Sequence, residues 1–320
     1  MRAIRIHQVG GPEVLQLDNV ELAAPGPGQA QVRHSAIGVN FLDVYFRTGL
    51  YPAALPFTPG SEGAGEVIAV GPGVEGFKPG DRVAYVTTPG SYAEARNVDA
   101  KHLVHLPENV SYEQAAATML KGLTAQYLLR QTYRVQPGDA ILVHAAAGGV
   151  GQILCQWGKH LGATVIATVG SAEKEKIARA CGADHVLGYE GFAARVAEIT
   201  GGAKCAVVYD GVGKTTFPAS LDALRPFGVF ASFGSASGPI EAFNLGLLGQ
   251  KGSLFATRPT LFTFLADRAR LDTMAKELFE VVASGAVKVD ISDRAPLAEA
   301  ARVHRDLEGR RTTGSIVLIP

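Results

Sequence analysis

Ala140-Ile-Leu-Val-His-Ala-Ala-Ala-Gly-Gly-Val-Gly151 decides the fold of this chain. Residues 140–145 are a short, apolar, partly β-branched run, the pattern of a buried parallel strand. The glycines follow at once, and residues 152–161 then run at helical spacing until Gly162 stops them. Strand, glycine turn and helix form the context in which a pyrophosphate is cradled. Gly148 tightens the turn, Gly149 leaves room for a phosphate, and Gly151 lets helix and strand approach. The helix N-terminus adds free N–H groups and the positive end of a dipole. The spacing is Ala-x-x-Gly-x-x-Gly, short of the strict three-glycine form, so a plain structural turn stays open at this point.

Outward from the turn, residues 122–265 alternate strand and helix. Strands are expected at 140–145, 164–169, 185–187, 206–210, 229–233 and 253–257, with helices at 152–161, 172–180, 192–200 and 216–224. Such alternation is the signature of a parallel sheet with right-handed crossovers. Residues 1–121 read differently. Short alternating runs, such as 30–37 and 66–70, are separated by glycine and proline turns, which suggests a compact, mostly β domain. Ser111 is a plausible N-cap for a helix over 112–119. Residues 268–283 read as a long amphipathic helix and 314–320 as a terminal strand. That strand needs a partner, and the simplest arrangement returns it to the first domain. The expected fold is α/β: a Rossmann doubly wound sheet (122–265) inserted in a mostly β domain (1–121 and 266–320), the two sharing a cleft.

Composition excludes several classes. The 320 residues carry 30 basic and 30 acidic side chains, a formal charge of zero with no long run of either sign. That is poor equipment for holding nucleic acid. No apolar run reaches membrane-spanning length, and residues 1–8 alternate like a strand instead of forming a signal peptide. Cys155, Cys181 and Cys205 are sparse and unpaired in spacing, which reads as reduced, buried thiols in a cytoplasmic protein.

The cofactor is read from the second strand. In dinucleotide folds an acid about 20 positions past the glycines binds the ribose 2′-hydroxyl of NAD. Here residues 164–169 run into Gly170-Ser-Ala-Glu-Lys174, with no carboxylate ending the strand. A small residue, a hydroxyl and Lys174 suit a 2′-phosphate, which favours NADPH. Lys174 is otherwise a solvated lysine in a first helical turn, where the dipole gains nothing from a cation.

Seven segments carry a wider likeness: Gly10-Gly-Pro-Glu-Val-Leu15, Gly38-Val-Asn-Phe-Leu-Asp43, Pro59-Gly-Ser-Glu-Gly-Ala-Gly65, Gly80-Asp-Arg-Val83, Leu120-Lys-Gly-Leu-Thr124, His144-Ala-Ala-Ala-Gly-Gly-Val-Gly151 and Gln250-Lys-Gly-Ser-Leu254. Over nearly its whole length the chain resembles the zinc-independent medium-chain dehydrogenase/reductases of the NADPH:quinone oxidoreductase (ζ-crystallin-like) type. The resemblance implies a GroES-like catalytic domain, a Rossmann domain and a homodimer formed through the Rossmann sheets. In zinc-dependent members of the superfamily a cysteine matches Asn40 and a histidine matches Ser61. Neither residue here supplies the ligand that a catalytic zinc needs. Without that Lewis acid the favoured substrate accepts hydride readily and spreads the charge, as a quinone does.

By the same resemblance Asn40, Asp43, Tyr45, Lys121 and Thr124 lie at the nicotinamide end. Tyr127, Gly148, Gly149, Val150, Gly151, Gly170, Ser171, Lys174, Tyr189, Phe233, Ser235, Arg258 and Arg310 match cofactor-contacting positions. Each has a plainer alternative. Asn40 and Asp43 also suit a capped turn. Tyr45 is either a cleft residue or a half-buried aromatic. Tyr189 either stacks on adenine or covers the sheet edge, and Arg310 either reaches the 2′-phosphate or is solvated. His144 reads as structural. Hydride is expected to pass directly to the acceptor, with Tyr45 the one weak candidate for a proton donor, although relatives that pass single electrons share the pattern. An enone or alkenal reductase, or a non-catalytic NADPH-binding protein of structural or RNA-binding type, fits the same motifs.

Overall fold

The computed structural model describes residues 1–309 and 311–320. In chain order the strands are β1 (Arg2–Arg5), β2 (Gln16–Asn19), β3 (Gln29–Val39), β4 (Glu62–Val70), β5 (Arg82–Val86), β6 (Ala95–Asp99), β7 (Leu103–His105), β8 (Ala140–Val143), β9 (Thr164–Thr168), β10 (His185–Leu187), β11 (Cys205–Asp210), β12 (Leu224–Ser232), β13 (Phe255–Thr257), β14 (Ile291–Pro296) and β15 (Ser315–Ile319). The helices are α1 (Phe41–Arg47), α2 (Tyr112–Tyr127), α3 (Gly149–His160), α4 (Ala172–Ala180), α5 (Phe192–Ile199), α6 (Ala219–Asp222), α7 (Gly246–Gln250), α8 (Leu261–Leu265), α9 (Arg268–Ala283) and α10 (Ala300–Glu308).

The chain divides into two compact units. The first comprises Met1–Leu123, Leu265–Ala283 and Val289–Pro320; the second comprises Thr124–Phe264 and Ser284–Lys288.

In the first unit a seven-stranded sheet runs β14-β15-β3-β4-β5-β7, with β6 also on β3. The terminal strand β15 pairs antiparallel with β3, so the end of the chain closes this sheet. Along β3 burial alternates from Ala30 to Ala36 and then becomes continuous through Ile37, Gly38 and Val39. The change occurs where the strand delivers Asn40 to the interior. Gly38 is obligatory there. A Cβ at that position would stand 2.1 Å from the Ala116 carbonyl oxygen and 2.2 Å from Glu62 Oε1.

In the second unit six parallel strands lie in the order β10-β9-β8-β11-β12-β13. This is the doubly wound dinucleotide-binding order. Every residue of β11 is buried, as a sheet covered on both faces requires. Leu142, Ile166, Val208 and Phe230 form its core with Phe192 and Val196 of α5.

Several elements differ from what local spacing predicts. The helix expected over 112–119 continues to Tyr127. Periodicity missed its second half because Lys121 and Thr124 are polar yet buried. Their burial reflects partners in the fold, which hydropathy does not encode. The helix expected over 216–224 shrinks to α6. Thr216 and Ser220 instead direct their hydroxyls at Asp210, at 2.7 and 3.2 Å. The strand expected over 140–145 ends at Val143, because the chain turns early and Ala145 adopts φ 51°.

Candidate active site

The glycine turn is made of backbone. Gly148 caps α3 in extended conformation, and its N–H donates to the Ala145 carbonyl at 2.9 Å. A Cβ on Gly151 would stand 2.4 Å from the Ala145 oxygen and 2.7 Å from Ala146 Cα, so strand and helix meet there only through glycine. Gly148 is exposed and Gly149 and Val150 are half-buried. The N–H groups of the first turn have no acceptor within α3, and the helix dipole points its positive end the same way. Gly170 is different: a Cβ there would touch only Tyr189 Cε2, at 3.9 Å, so the space beside it is open. Ser171 caps α4 by accepting from the Lys174 backbone N–H at 3.3 Å. Glu173, in the first turn of α4, takes hydrogen bonds from its own backbone N–H and from the Ser171 hydroxyl, which hold its carboxyl below the usual range. These donors suit a phosphorylated dinucleotide, and no carboxylate terminates β9.

The other described residues expected at the cofactor have their own partners in the second unit. The half-exposed Tyr189 ring stacks on His144 at 6.2 Å. His144 is buried between the Thr168 and Ser220 hydroxyls, at 2.7 and 3.0 Å, and burial lowers it to about 4. It is a neutral structural ring. Phe233 lies against Gly211, and its N–H donates to the Asp210 carbonyl at 2.9 Å. Ser235 turns the following loop, its carbonyl accepting from the Gly238 N–H at 3.0 Å. Arg258 donates to the Ser232 carbonyl at 3.1 Å. Tyr127 stacks on Phe264 at 4.5 Å; burial raises its hydroxyl well above the ordinary value, against the Arg258 charge and a hydrogen bond with Thr124. Arg310 lies outside the described residues.

The first unit builds its polar cluster from side chains. Asn40, at the start of α1, donates through Nδ2 to Glu62 Oε1 at 2.7 Å. Lys121 Nζ donates to the same oxygen at 3.3 Å and to the Val39 carbonyl at 3.1 Å. The Leu120 N–H reaches Glu62 Oε2 at 2.6 Å. Glu62 is thus a fully buried carboxylate with three donors. Asp43 accepts the Asn40 backbone N–H at 2.9 Å and the Tyr92 hydroxyl at 3.0 Å, both on Oδ2. Burial raises its carboxyl to about 7, opposed by these two bonds. Asn40 and Asp43 therefore cap a helix and belong to a buried cluster at the same time. Ser61 Oγ is buried and, among the described residues, takes no hydrogen bond. Tyr45 sits one turn further along α1, half-buried, its ring 5.5 Å from Phe41 and 5.3 Å from Tyr51.

The family models match in two blocks: an alcohol dehydrogenase GroES-like domain over residues 26–108 and a zinc-binding dehydrogenase over residues 149–278. A quinone oxidoreductase of Pseudomonas aeruginosa is 54% identical over 100% of this chain and 99% of its own. The chain belongs to the quinone oxidoreductase family of medium-chain dehydrogenase/reductases. It is an oxidoreductase with a GroES-like domain and a Rossmann domain. The Escherichia coli quinone oxidoreductase crystallised with NADPH superimposes with a TM-score of 0.97, at 48% identity and full coverage of both chains. A 2-haloacrylate reductase of a Burkholderia species is 45% identical over 98% of each chain.

Within the family fold, spacing alone missed Glu62, Tyr92, His304 and Arg47. Glu62 had a signal: it is the one acid in the glycine-rich run Pro59–Gly65, at the start of a buried strand. His304 occupies the apolar stripe of α10 with Ala300 and Val303. Tyr92 and Arg47 are 45 positions apart and gave none. Among the described residues no group of three or more His, Cys, Asp or Glu side chains is placed to hold a metal ion, and no helix is long and apolar enough to cross a membrane. Among the described residues Cys155, Cys181 and Cys205 form no disulfide; the first and last are buried and Cys181 is half-buried, and burial pushes the Cys205 thiol up to about 12.

Proposed function

We propose that this enzyme reduces quinones with NADPH. The observation that carries the reading is the turn: an open backbone cradle at Gly148–Gly151, followed by Gly170, Ser171 and Lys174 at the end of β9. The identity with quinone oxidoreductases over the whole chain, and the NADPH found in a relative of closely matching structure, support it. NADPH, when bound, supplies hydride for the quinone ring.

The chain's own residues then have these roles. The N–H groups of Gly149, Val150 and Gly151 hold the diphosphate, with the α3 dipole behind them. Lys174 and the Ser171 hydroxyl meet the 2′-phosphate, and Tyr189 packs on the adenine. Tyr127, Phe233, Ser235 and Arg258 border the rest of the cofactor. Asn40, Asp43, Tyr45, Lys121 and Thr124 attend the reacting end. Lys121 spends two of its three N–H donors on Glu62 and Val39. The third stabilises negative charge arriving on the acceptor. Positioning and polarisation are the protein's contributions.

We assign the GroES-like unit the catalytic part and the Rossmann unit the cofactor, and place the enzyme in the cytoplasm, where free thiols persist. A second copy docks edge to edge on β13, where Phe227, Leu245 and Phe255 are 69%, 72% and 61% exposed. Light scattering should return a dimer mass, and Phe255→Asp a monomer.

A second reading rests on the haloacrylate reductase relative: reduction of an activated alkene. NADPH oxidation measured with 1,4-naphthoquinone and with an α,β-unsaturated aldehyde separates the two. Faster turnover of the quinone is expected; preference for the alkene, or no turnover of either, overturns the proposal.

A further inference from the structure

Two carboxylates are buried in the first unit's cluster, and they are held differently. Glu62 has donors on both oxygens. Among the described residues Asp43 has both of its donors on Oδ2, and its buried Oδ1 takes no hydrogen bond. Its charge therefore depends on few groups, and one of them is the end of a longer chain. The Tyr92 hydroxyl that donates to Asp43 also lies 3.1 Å from His304 Nε2. His304 Nδ1 lies 3.3 Å from the Arg47 guanidinium. Arg47, 1% exposed, is anchored by the Gly10 carbonyl at 3.1 Å and the Glu308 carboxylate at 2.7 Å.

The direction of every link follows from the arginine. A guanidinium has only protons to give, so His304 Nδ1 accepts. Burial and the Arg47 charge push His304 down to about 3, so the ring is neutral and carries its proton on Nε2. That N–H donates to the Tyr92 oxygen, and the single Tyr92 proton is left for Asp43. Reversing the His304–Tyr92 link would set an imidazole N–H against the guanidinium.

We propose that Arg47, His304 and Tyr92 are positioning residues for quinone reduction: a one-way donor chain that holds Asp43 as a proton acceptor under Asn40. An ionised Asp43 grips the Asn40 N–H and fixes the first turn of α1, keeping the Asn40 side chain on Glu62 beside Lys121. When Asp43 takes a proton the grip weakens and acceptor reduction falls. The groups that face Asp43 are Glu62 of β4, which raises its proton affinity, Lys121 of α2, which lowers it, and Tyr92. His304 of α10 acts through Tyr92, and Arg47, on α1 itself, acts through His304. The role rests on the quinone reading above, whereas the electrostatic coupling does not.

The test follows the Asp43 carboxyl by carbon-13 NMR in the cofactor-free full-length chain, assigned by its loss in Asp43→Asn. Tyr92→Phe deletes one hydroxyl and keeps the ring. It should raise the Asp43 midpoint by about one to two pH units, the worth of one hydrogen bond to a charged group. His304→Leu should shift it in the same direction. His304→Gln should restore it, because the amide accepts from Arg47 and donates to Tyr92. The acid limb of kcat/KM for 1,4-naphthoquinone should move in the same order. An unchanged midpoint in folded Tyr92→Phe overturns the chain. Shifted midpoints with an unmoved acid limb overturn the role in the reaction. Shifted midpoints with no quinone turnover at any pH sink the quinone reading and leave the coupling standing.

Discussion

The turn at Gly148–Gly151 and the cluster around Glu62 both present polar groups for chemistry, but they are built from different materials. The turn offers backbone N–H groups, fixed by glycine spacing within a dozen residues. The cluster offers side chains from β4, α1 and α2, with Tyr92, Arg47 and His304 behind them, and their sequence separations reach 257 positions. A backbone site tolerates change in any side chain that leaves the turn's path intact. A side-chain site depends on every partner, because each buried charge there is answered by a named neighbour.

Gly151→Val presses this contrast hardest. The new side chain meets backbone atoms at 2.4 and 2.7 Å that have no freedom to retreat. NADPH affinity should fall on the order of a hundredfold or more, read by fluorescence titration. Retained affinity would show that the turn is not the phosphate site.

Glu62→Gln tests the other side. Lys121 and Glu62 are 9% and 0% exposed in their side chains, so the variant strands a buried ammonium. Urea denaturation should register a loss of about 3 kcal/mol, while NADPH affinity stays unchanged. A fall in cofactor affinity of similar size would dissolve the distinction between the two regions.

Acid separates them by degree. His34, His144 and His304 are buried and lowered to about 4, 4 and 3. The unfolded chain protonates these rings near the ordinary value while the folded chain refuses, so stability falls as pH drops from about 6.5 towards 4, by roughly 3 kcal/mol for each ring. Asp43 has the opposite sign. Its carboxyl is raised to about 7, so the stability it contributes is complete below the ordinary aspartate value and is lost as pH rises through about 7. Melting temperature against pH should show a steep acid limb, with a shallower decline near neutrality that Asp43→Asn removes.

The smallest expected effect belongs to Lys174→Ala. NADPH binding should weaken about tenfold and NADH binding scarcely at all, the difference being one charged contact to a 2′-phosphate. Equal losses for both cofactors would remove Lys174 from that role.

Much of the second unit was legible in the sequence, since a doubly wound sheet is written in local periods. The alternation of strands and helices and the glycine turn follow from residues that are neighbours in the chain. The start of α4 at Ser171 is equally local, because an N-cap acts on the N–H three residues on. In the first unit the motifs located Asn40, Asp43 and Lys121 through resemblance, yet their partners did not announce themselves. Glu62 is only one letter of a glycine-rich motif, and helical spacing ends α2 before Lys121.

The sequence by itself determined the strand–turn–helix at residues 140–161, the alternating order behind it and the lack of an acid at the end of β9, because turns, caps and hydrophobic periods act over a few residues. Only the tertiary structure decided that Glu62 gathers Asn40 and Lys121, and that Arg47 governs Asp43 through His304 and Tyr92. A hydrogen bond between buried side chains is favourable only where folding has removed water from both partners. No local pattern marks which distant residues will meet in that dry interior.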